Sequence, residues 1–277
     1  MLDILHIINI LLTIKIINLK DITMGNLDGK KALVFGVASN LSIAYGIAKQ
    51  LKEEGAEIAL SYVAAHEKRV KPIAEELGAT FVEECDLADD KAIGELVKKF
   101  EAKYGKVDII VHSVAFATRE ALSGRFLEVT RDDFLLSMNV SVYTLIAVVK
   151  QFEPIMSEDA SVLTLTYYGS EKVVPNYNVM GVAKAALEAT VRYLAVDLGK
   201  DGRRINAISA GPIKTLSAAG ITGFKSMLNN NEPRIPLGRN ISIEDCGNMA
   251  AFLLSPKAKN ITGSVAFVDG GFNITAM

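Results

Sequence analysis

The sequence predicts an α/β fold, a single doubly wound parallel sheet of about seven strands. Three observations carry this. Short apolar runs alternate with segments of helical period along the chain. The runs are almost continuously apolar, as strands covered on both faces are. No linker, repeat or low-complexity stretch interrupts the chain from Gly25 onward, so residues 25–277 read as one domain. Such alternation implies right-handed βαβ crossovers. Ligands in this architecture bind outside the carboxyl ends of the strands, so the residues just after each strand carry the functional information.

The elements follow in order. "KKALVFGVAS" (30–39) is a strand that runs into a glycine, and the next segment places Ala44, Ile47, Ala48 and Leu51 on one helical face with Gly55 as its stop. "EIALSY" (57–62) is the second strand, followed by the charged helix "HEKRVKPIAEELG". "TFVEECD" (80–86) is the third, followed by the amphipathic helix "DKAIGELVKKFEAKYG". "KVDIIVHSVA" (106–115) is the fourth, and 130–156 reads as one long helix with Pro154 near its end. "ASVLTLT" (160–166) is the fifth strand, with another long helix over 178–202. "RRINAIS" (203–209) and "SVAFVDGG" (264–271) are the sixth and seventh.

Composition excludes several classes. The chain has 277 residues, is half apolar and carries a formal net charge of −2, which leaves no basic footprint for nucleic acid. Two cysteines, Cys85 and Cys246, build no disulfide framework, and three scattered histidines (6, 66, 112) do not suggest a metal site. A reducing, cytoplasmic setting is expected. The N-terminal stretch "ILHIINILLTIKIINL" (4–19) is mostly Ile and Leu, with polar residues at near-helical steps. Three readings stand, in this order: residues 1–24 form an extension outside the folded domain, with Met24 as the favoured start; a helix docked on the body or a partner; or a membrane anchor. The anchor ranks last, because Lys15 interrupts the run and a span needs about 20 apolar residues.

The residues after the strands suggest chemistry. After the first strand, "GVASNLSIAYG" sits where a dinucleotide-binding turn would: Gly36 allows close backbone approach, and Ser42 with the amides near Ile43 offers a helix N-terminus to phosphates. The spacing is not G-x-G-x-x-G, so a ligand-free turn remains open. After the second strand, Val63 stands where an NAD-binding fold usually has an acid; Lys68 and Arg69 could accept a 2′-phosphate or form a solvated helix start. Asp86 could accept from an adenine amino group or cap the next helix. After the fourth strand the small residues of "HSVAFA" could let a flat ring lie on the backbone, or simply pack. After the fifth come Tyr177 and Lys184, seven apart and so on one side of a helix that contains both. A nearby ammonium lowers a phenol's pKa by favouring the phenolate. A packed tyrosine and a surface lysine is the alternative.

These residues resemble the short-chain dehydrogenase/reductases, whose usual site is Ser, then Tyr, then Lys four residues after Tyr. Four before Lys184 is Met180, and thirteen before that is Tyr167, so the ordinary pair is absent. Two tyrosines with a seven-residue step to the lysine are similar instead to the divergent enoyl-acyl-carrier-protein reductases. "GVASNLSIAYGIAK", "VHSVAFA", "LTYYGSEKVVPNYNVMGVAKAALEATVRY", "INAISAGPIKTL" and "FVDGGF" resemble that family's blocks in its order, over about 25–277.

The resemblance implies a Rossmann-like single domain and NADH as cofactor, NADPH being disfavoured because Ala64 follows Val63 where NADPH-preferring members carry basic residues. It implies cofactor contacts at Gly36, Ser42, Ile43, Val63, Asp86, Leu87, Val114, Lys184 and the run Ile213, Lys214, Thr215, Leu216, Ser217. It implies a substrate contact at Ala117 and catalytic roles for Tyr167, Tyr177 and Lys184. The reaction implied is reduction of the trans-2 double bond of an enoyl thioester on acyl carrier protein, the last step of the fatty acid elongation cycle. A homotetramer would be built on apolar helices at about 133–153 and 179–198, and a substrate lid would lie at about 216–231. Two rivals are a 3-oxoacyl or other carbonyl reductase of the same superfamily, and a non-catalytic dinucleotide-binding regulator.

Overall fold

The computed structural model describes residues 25–215 and 232–275. The N-terminal extension, the expected lid at 216–231 and the last two residues lie outside them. Seven strands form one sheet: β1 (Lys31–Phe35), β2 (Glu57–Tyr62), β3 (Phe81–Glu84), β4 (Val107–His112), β5 (Met156–Thr166), β6 (Arg204–Ala210) and β7 (Val265–Val268). Every neighbouring pair is parallel, in the order β3-β2-β1-β4-β5-β6-β7. The helices are α1 (Ile43–Glu53), α2 (Glu67–Leu77), α3 (Asp90–Tyr104), α4 (Arg131–Met138), α5 (Thr144–Phe152), α6 (Val179–Gly199) and α7 (Ile243–Leu254).

Strand alternation divides the core between the two faces. Leu33, Phe35, Ile110, Val162 and Ile205 point to one side, where they meet Phe100 of α3, Leu145 and Phe152 of α5, and Leu187 and Val191 of α6. Ala32, Val34, Ile58, Leu60, Ile109 and Val111 point to the other, against Ile47 and Leu51 of α1, Val70 of α2 and Ala250 of α7. Burying each large apolar side chain stabilises the fold by about 1.5–3 kcal/mol. Both faces are covered, which is why the strand sequences are apolar runs rather than alternating ones.

Three features differ from the sequence expectation. The long helix expected over 130–156 is interrupted by a π-helical turn, Asn139–Tyr143, and closes in a 3₁₀ turn, Glu153–Ile155, that contains Pro154. Polar side chains surround the π turn. Thr144 Oγ1 donates back to the Val140 carbonyl at 2.7 Å, and Ser141 Oγ bonds both the N–H and the C=O of Phe116, at 3.0 and 3.2 Å. By length and composition the helical run Arg131–Ile155 could cross a membrane, yet its apolar residues from Leu145 to Phe152 pack on the sheet. Second, β5 starts at Met156, four residues before the apolar run, where Met156 pairs with Val107 of β4 and Arg203 bonds the carbonyls of Met156 and Ser157 at 3.2 Å each. Third, the sequence reading missed α7. Parallel pairing of β6 and β7 requires a crossover, and Ser242 with Asp245 forms a capping box at the start of this one. Its other end is closed by the buried Arg204 guanidinium, which donates to Leu253 O at 2.8 Å and Ser255 O at 3.3 Å.

Candidate active site

The chain winds outward from β1 through β2 to β3, then crosses back to β4 beside β1. Two crossovers leave a crevice there, beyond the carboxyl ends of the strands. Gly36 lies at its floor with φ +92°, and a Cβ there would sit 2.0 Å from the Ser113 carbonyl oxygen, so no side chain fits. Ser42 caps α1: its hydroxyl accepts from Tyr45 N at 3.3 Å and donates to Ser39 O at 2.7 Å. The orphan amides of this helix therefore open toward the crevice beside Ile43.

A cavity of about 710 Å³ spans the strand ends. Its wall holds Gly36, Ser42 and Ile43 from the first turn, and Val63 beyond β2. Asp86 and Leu87 line it beyond β3, Val114 and Ala117 beyond β4, and Tyr167, Tyr177 and Lys184 beyond β5. Ile213 and Thr215 line it beyond β6, whereas Lys214 is exposed and outside the wall. Leu216 and Ser217 lie outside the described residues. Asp86 does not cap α3; its Oδ1 accepts from Ala88 N at 2.9 Å, and Asp89 is the cap. Lys68 and Arg69 are exposed on α2, outside the cavity wall.

The sequence reading missed His66, Phe116, Arg119, Leu122, Val140 and Met180, all in the same wall. His66 ends a 3₁₀ turn, Ala64–His66, and Val140 is in the π turn, neither of which has a clear sequence signal. Met180 occupies the place of the superfamily's usual tyrosine, and Ser141 Oγ contacts its sulfur at 3.7 Å.

The wall fits a dinucleotide. Beside the Gly36 cradle and the α1 N-terminus, Ser61 of β2 lines the cavity, and its Oγ is buried with no hydrogen-bond partner among the described residues. The Lys184 ammonium spends one N–H on the Leu165 carbonyl, at 2.7 Å, and has two left for a ligand.

The tyrosine and the lysine do not share one helix. α6 starts at Val179, so Tyr177 precedes the helix that carries Lys184. It sits in a turn between Asn176 and Asn178, whose φ angles are +64° and +40°. The Tyr167 and Tyr177 rings meet edge to face, with centroids 5.0 Å apart at 77°. Gly169 makes room: a Cβ there would stand 2.5 Å from Cδ1 of Tyr177. Burial, and the neighbouring Tyr167, hold the Tyr177 phenol well above its ordinary pKa, and burial pushes Tyr167 up to about 12. The expected lowering of a tyrosine pKa by Lys184 is therefore corrected: burial, joined at Tyr177 by Tyr167, raises both phenols. Burial drives Lys184 itself down to about 8, opposed by Glu188. His112, fully enclosed between the Thr144 and Thr164 hydroxyls at 2.9 and 3.2 Å, is pushed down to about 3 by the same desolvation and by Lys184.

A doubly wound sheet, a phosphate-accepting first turn and a tyrosine–lysine pair after β5 define a dinucleotide-dependent oxidoreductase of the short-chain type. A family model described as "Enoyl-(Acyl carrier protein) reductase" matches residues 36–273. The enoyl-[acyl-carrier-protein] reductase [NADH] 1 of Rhizobium meliloti is 52% identical over 254 residues, 91% of this chain and 93% of that protein. The crystal structure of the Aquifex aeolicus NADH enoyl-acyl-carrier-protein reductase superposes with a TM-score of 0.89 at 49% identity, covering 91% of this chain and all of that one. The Anaplasma phagocytophilum reductase, crystallised with NAD, gives 0.87 at 43% identity over 92% and 96% of the two chains. The chain belongs to the enoyl-acyl-carrier-protein reductase family.

The contact between Gly169 and Tyr177 gives a direct test of the site. Gly169→Ala displaces the Tyr177 ring, and a shift on the ångström scale at a reacting group costs about 10²-fold in rate. Steady-state kinetics should show that loss in kcat with the NADH Kd nearly unchanged; an unaltered kcat would remove Tyr177 from the reaction.

Proposed function

We propose that this protein reduces the trans-2 double bond of enoyl thioesters carried by acyl carrier protein, with NADH as hydride donor, in the cytoplasm. The observation that carries the reading is the double-tyrosine site, with Met180 where a carbonyl reductase has its tyrosine, in a chain about half identical to an NADH enoyl reductase. When bound, the reduced nicotinamide would supply the hydride to the β-carbon, and a proton taken up from solvent at the α-carbon would complete the reduction. Tyr177 donates its O–H to the thioester oxygen, where negative charge develops. Its raised pKa keeps the phenol protonated, and so a donor, throughout the working pH range. Tyr167, packed edge to face with it, holds the Tyr177 ring in place and walls the acyl pocket with Phe116 and Val174. Lys184 holds the ribose hydroxyls with its two free N–H groups. Gly36 and the α1 amides take the pyrophosphate; Val63, Asp86 and Leu87 take the adenosine; Val114, Ile213 and Thr215 lie along the remainder of the cofactor, and Ala117 meets the substrate.

The discriminating assay is NADH consumption with crotonyl thioester against acetoacetyl thioester. Turnover of the first and not the second is expected, and the reverse would make the protein a carbonyl reductase. NADH binding without turnover of either would leave the regulator reading.

The role of Lys184 is tested through affinity. A group held down to about 8 is charged below that pH and neutral above it, so NADH affinity should fall as pH rises through about 8. Lys184→Ala should weaken NADH binding at every pH and flatten that dependence. An unchanged Kd would place the ribose elsewhere.

We also propose that the enzyme assembles as a homotetramer. The charge-free run 141–149 spends most of its side chains on the protomer's own core. Exposed apolar residues are found on α4 and α6: Leu135 is 57% exposed, Tyr193 79% and Val196 67%. Faces of this kind are covered in assemblies. Light scattering should give four times the protomer mass, and a stable, active monomer at micromolar concentration would refute the assembly.

A further inference from the structure

We propose that Glu188 is a positioning residue for the reaction: its carboxylate, pinned by Thr166, keeps the Lys184 ammonium charged and aimed into the cavity. The inference rests on the reading of Lys184 as the ribose-binding residue. Glu188 and Lys184 are four apart on α6 and so share a face of that helix. The two side chains are anchored on consecutive residues at the end of β5. Lys184 Nζ donates to Leu165 O at 2.7 Å, and Thr166 Oγ1 donates to Glu188 Oε1 at 2.6 Å. Thr166 is only 3% exposed, and its single proton is committed to the carboxylate, which fixes where that charge lies.

The need for such a group is physical. Lys184 is 6% exposed, and among the described residues its hydrogen-bond acceptor is the neutral Leu165 carbonyl. An ammonium in that position loses its proton readily. The ionisable groups that face it offer little else. His112 from β4 is held neutral between two threonine hydroxyls, and Tyr167 and Tyr177 from the segment before α6 are neutral phenols. Among the described residues the anionic group acting on Lys184 is Glu188, which opposes the effect of burial. The carboxylate is half-buried beside the cavity rather than in its wall, so it acts through the lysine and not on the ligand.

The experiment is NADH binding, followed by fluorescence from pH 6 to pH 9.5, for the wild type, Glu188→Gln and Thr166→Val. Glu188→Gln preserves volume and can still accept from Thr166, so only the charge is removed. Its alkaline loss of affinity should move toward neutral pH. At pH 8 the affinity should fall about fivefold below wild type, with less than about a twofold difference at pH 6. Thr166→Val keeps the charge but frees the carboxylate, and should move the profile in the same direction by a smaller amount; it also decides the matter if Glu188→Gln does not fold. Equal losses at every pH would assign Glu188 a purely structural role, and an unmoved profile would remove it from the site; either overturns the proposal. Because binding is read rather than turnover, a wrong assignment of the thioester substrate leaves this result standing. An error in the Lys184 assignment is exposed separately by Lys184→Ala.

Discussion

The reversal of winding at β1 is the constraint on which the rest of the site depends. Crossovers leave in both directions from the β1–β4 pair, so helices cannot close over the ends of those strands. The strands themselves must approach so closely that Gly36 touches the Ser113 carbonyl. Much that lines the cavity is a consequence: β1 to β6 end on the same rim, and the segments that follow each of them supply its wall. A parallel sheet buried on both faces thus delivers residues from 36 to 215, far apart in sequence, to a single surface.

Electrostatics then sorts those residues. The same burial acts in opposite directions on acids and bases: it holds two phenols protonated and strains the charge on one ammonium. The outcome is a donor that does not ionise next to a cation whose charge is conditional. His112 lies deeper still and carries no charge; its two ring nitrogens tie β4 to β5 and to the helix beyond the π turn. That network is structural support for the cavity floor rather than chemistry.

Much of this was legible in the sequence. The strands were plain because apolar runs bounded by turns leave little choice, and Gly36, Tyr177 and Lys184 stood out because they follow strands. What was illegible depends on packing. α7 hides behind a loop-like approach, although Ser242 and Asp245 announce its start. The turn that places Tyr177 ahead of the Lys184 helix gives no periodic signal, because it is made by two asparagines with positive φ. His66 and Val140 enter the wall only because short irregular turns rotate them there. The direction of the tyrosine pKa shifts could not be read from spacing at all, because desolvation is a property of the enclosing atoms.

The π turn at Asn139–Tyr143 has a genetic consequence. A five-residue turn amounts to one residue inserted into an α-helix, and each residue of an α-helix accounts for about 100° of rotation. Removing that residue would turn all of Thr144–Phe152 about its axis relative to Arg131–Met138. Leu145, Val148 and Phe152 would swing off the sheet together, and the three-way contact of Ser141 with Phe116 and Met180 would be lost. Point substitutions here can be absorbed one at a time. A single-codon deletion cannot, so the length of this segment is under tighter constraint than the identity of any residue in it.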